Sequence, residues 1–284
     1  MRSAELARFV ASYPTAIVAE LTAVRGSSPR EKGAFMLIAP DALIGTIGGG
    51  ALEYMVIDRA RRALRDGEEP EGLDIPLGPE IGQCCGGRVE VSLKRLQRPL
   101  GAALVKRLRA AEADLPDVYL FGAGHVGKAL AQALAALPLN VHVIDTRPDE
   151  LSGLPAGVEA KAVPMPEAVV RSAPEGSAFV ILTHDHALDF LIAAEALKRP
   201  DAPYIGMVGS RTKRAKFASW YAGEGGNRDA LRRLVLPIGD FGLVDKRPEV
   251  IAALAAAEIM VHLGRRGASR MGARDPMTVG ADVD

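Results

Sequence analysis

Gly122-Ala123-Gly124-His125-Val126-Gly127 is the stretch that decides the fold. An apolar run, Val118 to Phe121, leads into it, and Val126 to Leu137 follows with Val126, Leu130, Leu134 and Leu137 on one helical face. A glycine-rich turn between a strand and a helix is the dinucleotide-type fingerprint. Gly122 permits the tight turn, Gly124 lets backbone approach a phosphate, and Gly127 lets the helix sit close to the strand. The free N–H groups of the helix start attract an anion. Asp145 closes the next apolar run, Val141 to Ile144, 18 residues after Gly127, where a ribose-binding acid is expected. The alternative is a Rossmann turn kept for packing alone.

Outward from the fingerprint the alternation continues. Strands are expected at Phe179 to Leu182 and Tyr204 to Val208, with helices at Leu188 to Lys198, Thr212 to Tyr221 and Pro248 to His262. Alternation of this kind implies a parallel sheet covered by helices on both faces. Toward the start of the chain the pattern changes. A short helix is expected at Glu5 to Ser12, and strands at Ala16 to Val24, Ala34 to Ile38, Leu43 to Ile47 and around Val89 to Leu93. A helix is expected from Ala51 to Asp66, and Gly67 to Gly82 reads as loop. The expected fold class is therefore α/β: a C-terminal Rossmann-like parallel sheet with helices on both faces, and a smaller N-terminal α/β domain. The expected boundaries are 1–99 for the N-terminal domain, 100–116 for a linker helix, and 117–284 for the Rossmann-like domain with its C-terminal helix.

Four further segments carry candidate chemistry. Gly48-Gly49-Gly50 precedes a helix, and consecutive glycines can aim several N–H groups at one phosphate. Glu53, one turn inside, either faces the same ligand or is a solvated first-turn acid that favours the helix dipole. Gln83-Cys84-Cys85-Gly86-Gly87 holds both cysteines of the chain. Adjacent cysteines form only a strained disulfide, so they read as free thiols, able to ligate a soft metal or carry a sulfane sulfur, or else as small buried hydrophobes. The flanking glycines leave the sulfurs uncrowded and the backbone free to donate. Thr183-His184-Asp185-His186, with Asp189, follows an apolar strand at the end where ligands bind, as a site loop, a metal site or a polar loop bonded to its own backbone. Gly209 to Lys216 is basic: Ser210 can cap a helix, and Arg211, Lys213 and Arg214 can bind phosphate or an acidic partner.

Bulk properties exclude several function classes. Lys plus Arg and Asp plus Glu number 35 each, so no basic field advertises nucleic acid. No uncharged apolar run reaches membrane-spanning length, and the start lacks a signal peptide's apolar core, so a cytoplasmic protein without membrane attachment is expected. Near-zero charge makes self-association, such as a homodimer, an expectation.

In order, the chain presents Gly26-Ser27-Ser28-Pro29-Arg30, then Gly45 to Gly50 with Glu53, then Cys85-Gly86-Gly87. Gly122 to Val126, Asp145 with Arg147, Thr183 to His186 with Asp189, Gly206 to Arg214 and Pro237-Ile238-Gly239 follow. This set resembles the xanthine dehydrogenase accessory proteins of the XdhC family over nearly the whole chain; Asp240 to Arg247 departs from the pattern, where a Gly-Ala-rich turn is expected. The resemblance implies a non-catalytic chaperone for the molybdenum cofactor, a pterin dithiolene with a phosphate. Such a protein shields the cofactor, supports its sulfuration by a cysteine desulfurase, and passes it to the large subunit of apo-xanthine dehydrogenase. It implies a cofactor phosphate at Gly48 to Gly50 or at the Rossmann turn, and Cys85 on the molybdenum side. Gln83, Cys84, Gly86, Gly122, Gly124, His125, Gly127, Asp145, His184, Asp185, Ser210 and Arg211 complete the expected cofactor-binding set. A nucleotide at the Rossmann turn is a further possibility. The competing expectation is an NAD(P)-dependent oxidoreductase, against which stands the lack of a clear acid–base set beyond His184 and His186.

Overall fold

The computed structural model describes residues 1–78, 86–243 and 245–272, with side chains described as far as residue 265. The chain divides into two compact units, Met1–Asp114 and Leu115–Asp284.

The first unit is built on an antiparallel sheet of β1 (Ile17–Arg25), β2 (Phe35–Ile38), β3 (Leu43–Gly45), β4 (Leu73–Pro76) and β5 (Arg88–Arg95), in the order β3-β2-β1-β5-β4. Successive residues of a strand point to opposite faces, and β1 uses both. Ile17, Ala19 and Leu21 pack with Leu52, Val56 and Ala60 of α2 (Gly50–Asp66). Val18 faces the other way, in a cluster with Leu6 and Phe9 of α1 (Ser3–Ser12) and Leu104 of α3 (Arg98–Ala113). The helix expected as a linker at 100–116 is therefore α3, a layer of the first unit.

Leu73–Pro76, expected to be loop, is strand β4, paired antiparallel with β5 from Leu73↔Val91 to Pro76↔Arg88. It is an edge strand, the place where proline's missing N–H costs no ladder bond.

The second unit is a six-stranded parallel sheet. Its strands are β6 (Asp117–Phe121), β7 (Asn140–Asp145), β8 (Glu159–Ala162), β9 (Ala178–Ile181), β10 (Ile205–Met207) and β11 (Leu234–Val235). Their order is β11-β10-β9-β6-β7-β8, the doubly wound order in which direction reverses between β6 and β9. Along β6, Val118 and Leu120 face α4 (His125–Ala135) and α9 (Pro248–Gly272). Tyr119 and Phe121 face α5 (Pro166–Ser172), α6 (His186–Leu197) and α7 (Arg211–Gly223). Both faces are covered, which is why these strands are apolar without alternation. β8, with α5, α8 (Arg228–Leu231) and β11, adds elements that periodicity did not predict. No helix among the described residues is long and apolar enough to cross a membrane.

Candidate functional site

At the switch point the fingerprint glycines divide their tasks. Gly122 has φ +115°, and a Cβ there would lie 2.5 Å from the Leu182 carbonyl oxygen. Gly127 is excluded from substitution by helix–strand approach: its Cβ would lie 2.0 Å from the Gly122 carbonyl oxygen. Gly124 is different. It is the N-cap of α4, no side chain caps the helix, and nothing lies within 4 Å of its would-be Cβ. An uncapped helix start leaves N–H donors for an anion. His125, the first residue of α4, is exposed.

Asp145 stands at the carboxyl end of β7, but its oxygens are already engaged. Its side chain is buried, one oxygen accepting from the Ala123 N–H at 2.7 Å and the other from the Arg147 N–H at 2.9 Å. The Arg147 guanidinium contacts both oxygens, at 3.1 and 3.2 Å. Burial pushes the Asp145 carboxyl up, but the bonds from Arg147 and from the Ala123 N–H outweigh it and hold the carboxyl below the usual range. In this state the residue clasps the glycine turn to the β7 end, and a ribose hydroxyl would compete with Arg147 for it.

The loop after β9 is organised from below. Asp185 is the N-cap of α6, accepting from the Ala187 N–H at 2.8 Å. His184 lines a narrow crevice with Gly122, Asp145, Thr146, Pro166 and Leu188, and His186 opens α6 on the exposed surface. Among the described residues no group of His, Cys, Asp and Glu is placed to hold a metal ion. Asp189 is fully buried. It accepts from the Thr183 hydroxyl at 2.7 Å and the Thr183 N–H at 3.1 Å, and it pairs with the Lys213 ammonium. Lys213 also donates to the Val208 carbonyl at 2.9 Å. One buried pair thus ties the ends of β9 and β10 to α6 and α7.

This corrects the expected phosphate-binding role of the basic stretch. Lys213 is buried, and Arg214 donates to the carbonyls of Leu234 and Leu236 at 3.0 and 3.1 Å. Ser210 caps α7 through the Lys213 N–H, as expected. Arg211 is exposed and forms no ion pair among the described residues, so it is a cation of this stretch still open to a ligand.

The motifs of the first unit come together although about 60 residues separate them in sequence. The Gly86-Gly87 pair packs on the 25–28 loop so tightly that a Cβ on Gly87 would lie 2.1 Å from the Ser27 carbonyl oxygen and 2.8 Å from that of Arg25. Pro29 of the same loop reaches Gly48: a Cβ on Gly48 would lie 3.1 Å from the Pro29 Cγ. Gly48, Gly49 and Gly50 have φ values of +157°, +144° and +59°, so all three lie in the region that favours glycine. Gly49 is the N-cap of α2, with no side-chain cap, and open space surrounds its would-be Cβ. The turn is braced by Glu53, whose carboxylate accepts from the Thr46 hydroxyl at 2.5 Å and the Ile47 N–H at 3.1 Å. Glu53 is thus a brace for the turn rather than a solvated first-turn acid. Gly86 does not have a free donor either, since its N–H bonds the Leu77 carbonyl at 2.8 Å. Gln83, Cys84 and Cys85, and with them the expected sulfur contact, lie outside the described residues.

The sequence matches the model of the XdhC Rossmann domain over residues 118–259 and that of the XdhC and CoxI family over residues 10–72. Among curated sequences it is 28% identical over 254 residues to an uncharacterized Escherichia coli protein, YqeB, covering 86% of this chain and 42% of that one. The chain thus spans less than half the length of that relative. Among solved structures it is similar to a protein from Bacillus halodurans described as a xanthine dehydrogenase, with a TM-score of 0.73 and 21% identity. That match covers 97% of this chain and 98% of the other, and at that identity it shows a shared fold. An imine reductase from Pseudomonas sp. aligns over 56% of this chain and 65% of its own with a TM-score of 0.29 and 15% identity, too shallow to carry an argument. With both halves of the architecture matched in order, and the fingerprint, the glycine turn and the paired-glycine hairpin in place, the chain belongs to the XdhC family.

Proposed function

We propose that this protein is a maturation factor for a xanthine dehydrogenase: it binds the molybdenum cofactor as cargo, protects it, supports its sulfuration by a cysteine desulfurase, and inserts it into the large subunit of the apo-enzyme. The observation that carries this reading is the packing of Gly86-Gly87, the 25–30 loop and the Gly48–Gly50 turn against one another in the first unit. α2, whose start has no side-chain cap, follows a glycine turn that packs on Pro29 of the loop against which Gly87 lies, and Cys85 precedes Gly86 in the sequence. The N–H groups that open α2 suit a phosphate dianion, and a thiolate joined by one peptide bond to Gly86 suits a soft metal centre. The turn Gly48–Gly50 would seat the phosphate at the start of α2, with the Gly48 N–H kept by the Thr46 hydroxyl oxygen at 3.3 Å, Glu53 would hold the turn in shape, and Cys85 would face the molybdenum. The chain's own part is to bind and to exclude water and oxygen, and it turns over no substrate.

The second helix start, at Gly124, suits a second phosphate-bearing ligand. The oxidoreductase alternative would need a ribose acid, and Asp145 is spent on Ala123 and Arg147. Transfer is the decisive assay. Protein carrying the cofactor is mixed with the apo-dehydrogenase, and the recovered activity is followed with and without the desulfurase. The reading expects activation that Cys85→Ala reduces at least tenfold. Equal activation by the variant, or by free cofactor alone, would remove the chaperone role. Calorimetric titration with NAD(H) and NADP(H) gives no saturable heat coupled to turnover if the reading is correct.

A further inference from the structure

The second unit has a cavity that shares no lining residue with the crevice of His184. This cavity, of about 570 Å³, is lined by Glu167 of α5, by Leu191 and the final residues of α6, by the end of α7 and by the loop Glu224–Asn227. Its size falls in the range of ligand pockets. The loop is shaped to form a wall: Gly225 has φ +76°, and Gly226 lies so close over Tyr221 that a Cβ would meet the ring at 2.5 Å. Trp220 lines the cavity and is held in place by Phe190 and Phe217, with ring centroids 5.4 and 5.9 Å away. Leu191, which also lines it, is 48% exposed.

The charge of the lining is unbalanced. Glu195 is neutralised by Lys198 at 2.7 Å and Arg171 at 3.5 Å. Glu167 and Glu224 have no ion-pair partner among the described residues. Two unpaired carboxylates beside an indole face and an apolar floor are complementary to a guanidinium on an aliphatic stem, which can stack on the indole and bond a carboxylate at once.

We propose that this cavity is a docking site for an arginine, flanked by apolar side chains, on a partner protein. Nothing in the proposal depends on the cofactor reading.

Trp220 is the chain's single tryptophan, so its emission reports on this cavity directly. The full-length protein is titrated at low salt with acetyl-Leu-Arg-Leu-amide, with its citrulline counterpart, and with arginine amide, by Trp emission and in parallel by calorimetry. The arginine tripeptide should saturate at least tenfold more tightly than the citrulline peptide, a near-isostere whose neutral ureido group replaces the guanidinium. It should also bind at least tenfold more tightly than arginine amide. Glu167→Gln with Glu224→Gln, both on accessible positions, should weaken it at least fivefold. Several results would overturn the proposal: no saturable signal in either measurement up to about 5 mM, a range that registers millimolar dissociation constants; equal binding of the citrulline peptide; or an unaffected double variant. Arginine amide binding as tightly as the tripeptide would equally overturn it, since the cavity would then be a small-cation site.

Discussion

Lys213→Met should be among the most damaging single substitutions in the second unit. The Asp189 side chain is 1% exposed and that of Lys213 8%, and Lys213 is the only cation paired with Asp189 among the described residues. The variant leaves a buried carboxylate with two hydrogen bonds, both from Thr183, and no countercharge. Breaking a buried pair from one side costs about 3–5 kcal/mol. The Val208 carbonyl loses a donor at 2.9 Å as well, worth about 1 kcal/mol more. With a urea slope of about 2.5 kcal/mol/M, a loss of about 4 kcal/mol moves the unfolding midpoint by about 1.6 M. Trp220 lies on the same helix as Lys213, so its emission follows this unit and not the other. The double change Lys213→Met with Asp189→Leu should recover most of the loss, because a buried ion pair replaced by apolar groups of similar volume is often near neutral. The loops at the ends of β9 and β10 would still loosen, since Thr183 would lose its acceptor. A midpoint shift under about 0.4 M for Lys213→Met, equivalent to about 1 kcal/mol, would refute the claim that Asp189 depends on this ammonium.

Three other outcomes follow from the same geometry. Gly87→Ala must displace the Ser27 carbonyl, and a cost of about 1–3 kcal/mol to the first unit is expected, read as faster amide exchange in β1 and β5; unchanged exchange would mean that the 25–28 loop yields freely. Glu53→Gln should be tolerated at modest cost, since an amide oxygen still accepts from Thr46 and Ile47, whereas Glu53→Ala should free the Gly48–Gly50 turn; the contrast is visible in backbone NMR shifts of residues 46–50. The Arg199 guanidinium draws the Asp201 carboxyl from its ordinary 3.8 down to about 2, so its contribution is fully present above pH 4 and fades as the pH falls through 2. The stability gap between the parent protein and Asp201→Asn should therefore close between pH 4 and pH 2, and a gap unchanged at pH 2 would contradict the assignment.

What was legible beforehand had a local cause. The Rossmann turn announces itself because each glycine answers a nearby steric demand, Gly122 against Leu182 and Gly127 against Gly122. Of the edge strands β3 was legible, but β4, β8 and β11 were not. Glu159-Ala160-Lys161-Ala162 is made of good helix formers and stays exposed, and only its ladder to β7 makes it β8. Leu73-Asp74-Ile75-Pro76 is likewise a strand by virtue of β5. The site was read with a mixed result for a physical reason. Lys213 looked like part of a surface charge run, yet Lys213, Phe217 and Tyr221 share the i, i+4, i+8 spacing of a buried face, and Asp189, Ile192, Ala193 and Ala196 share another. Two opposite charges on the core stripes of neighbouring helices are a signal that the residues form a pair. No such signal marks Glu53, whose orientation depends on where Thr46 and Ile47 lie once the turn has closed.

The most direct test is the composition of the protein as it leaves the cell. Purified from molybdate-replete cells under low oxygen, the chain should carry close to one molybdenum and one pterin phosphate per copy. Gly49→Val, which places a β-branched side chain where φ is +144°, and Cys85→Ala should each strip most of both. Parent protein free of pterin and metal, or variants loaded as fully as the parent, would contradict the account.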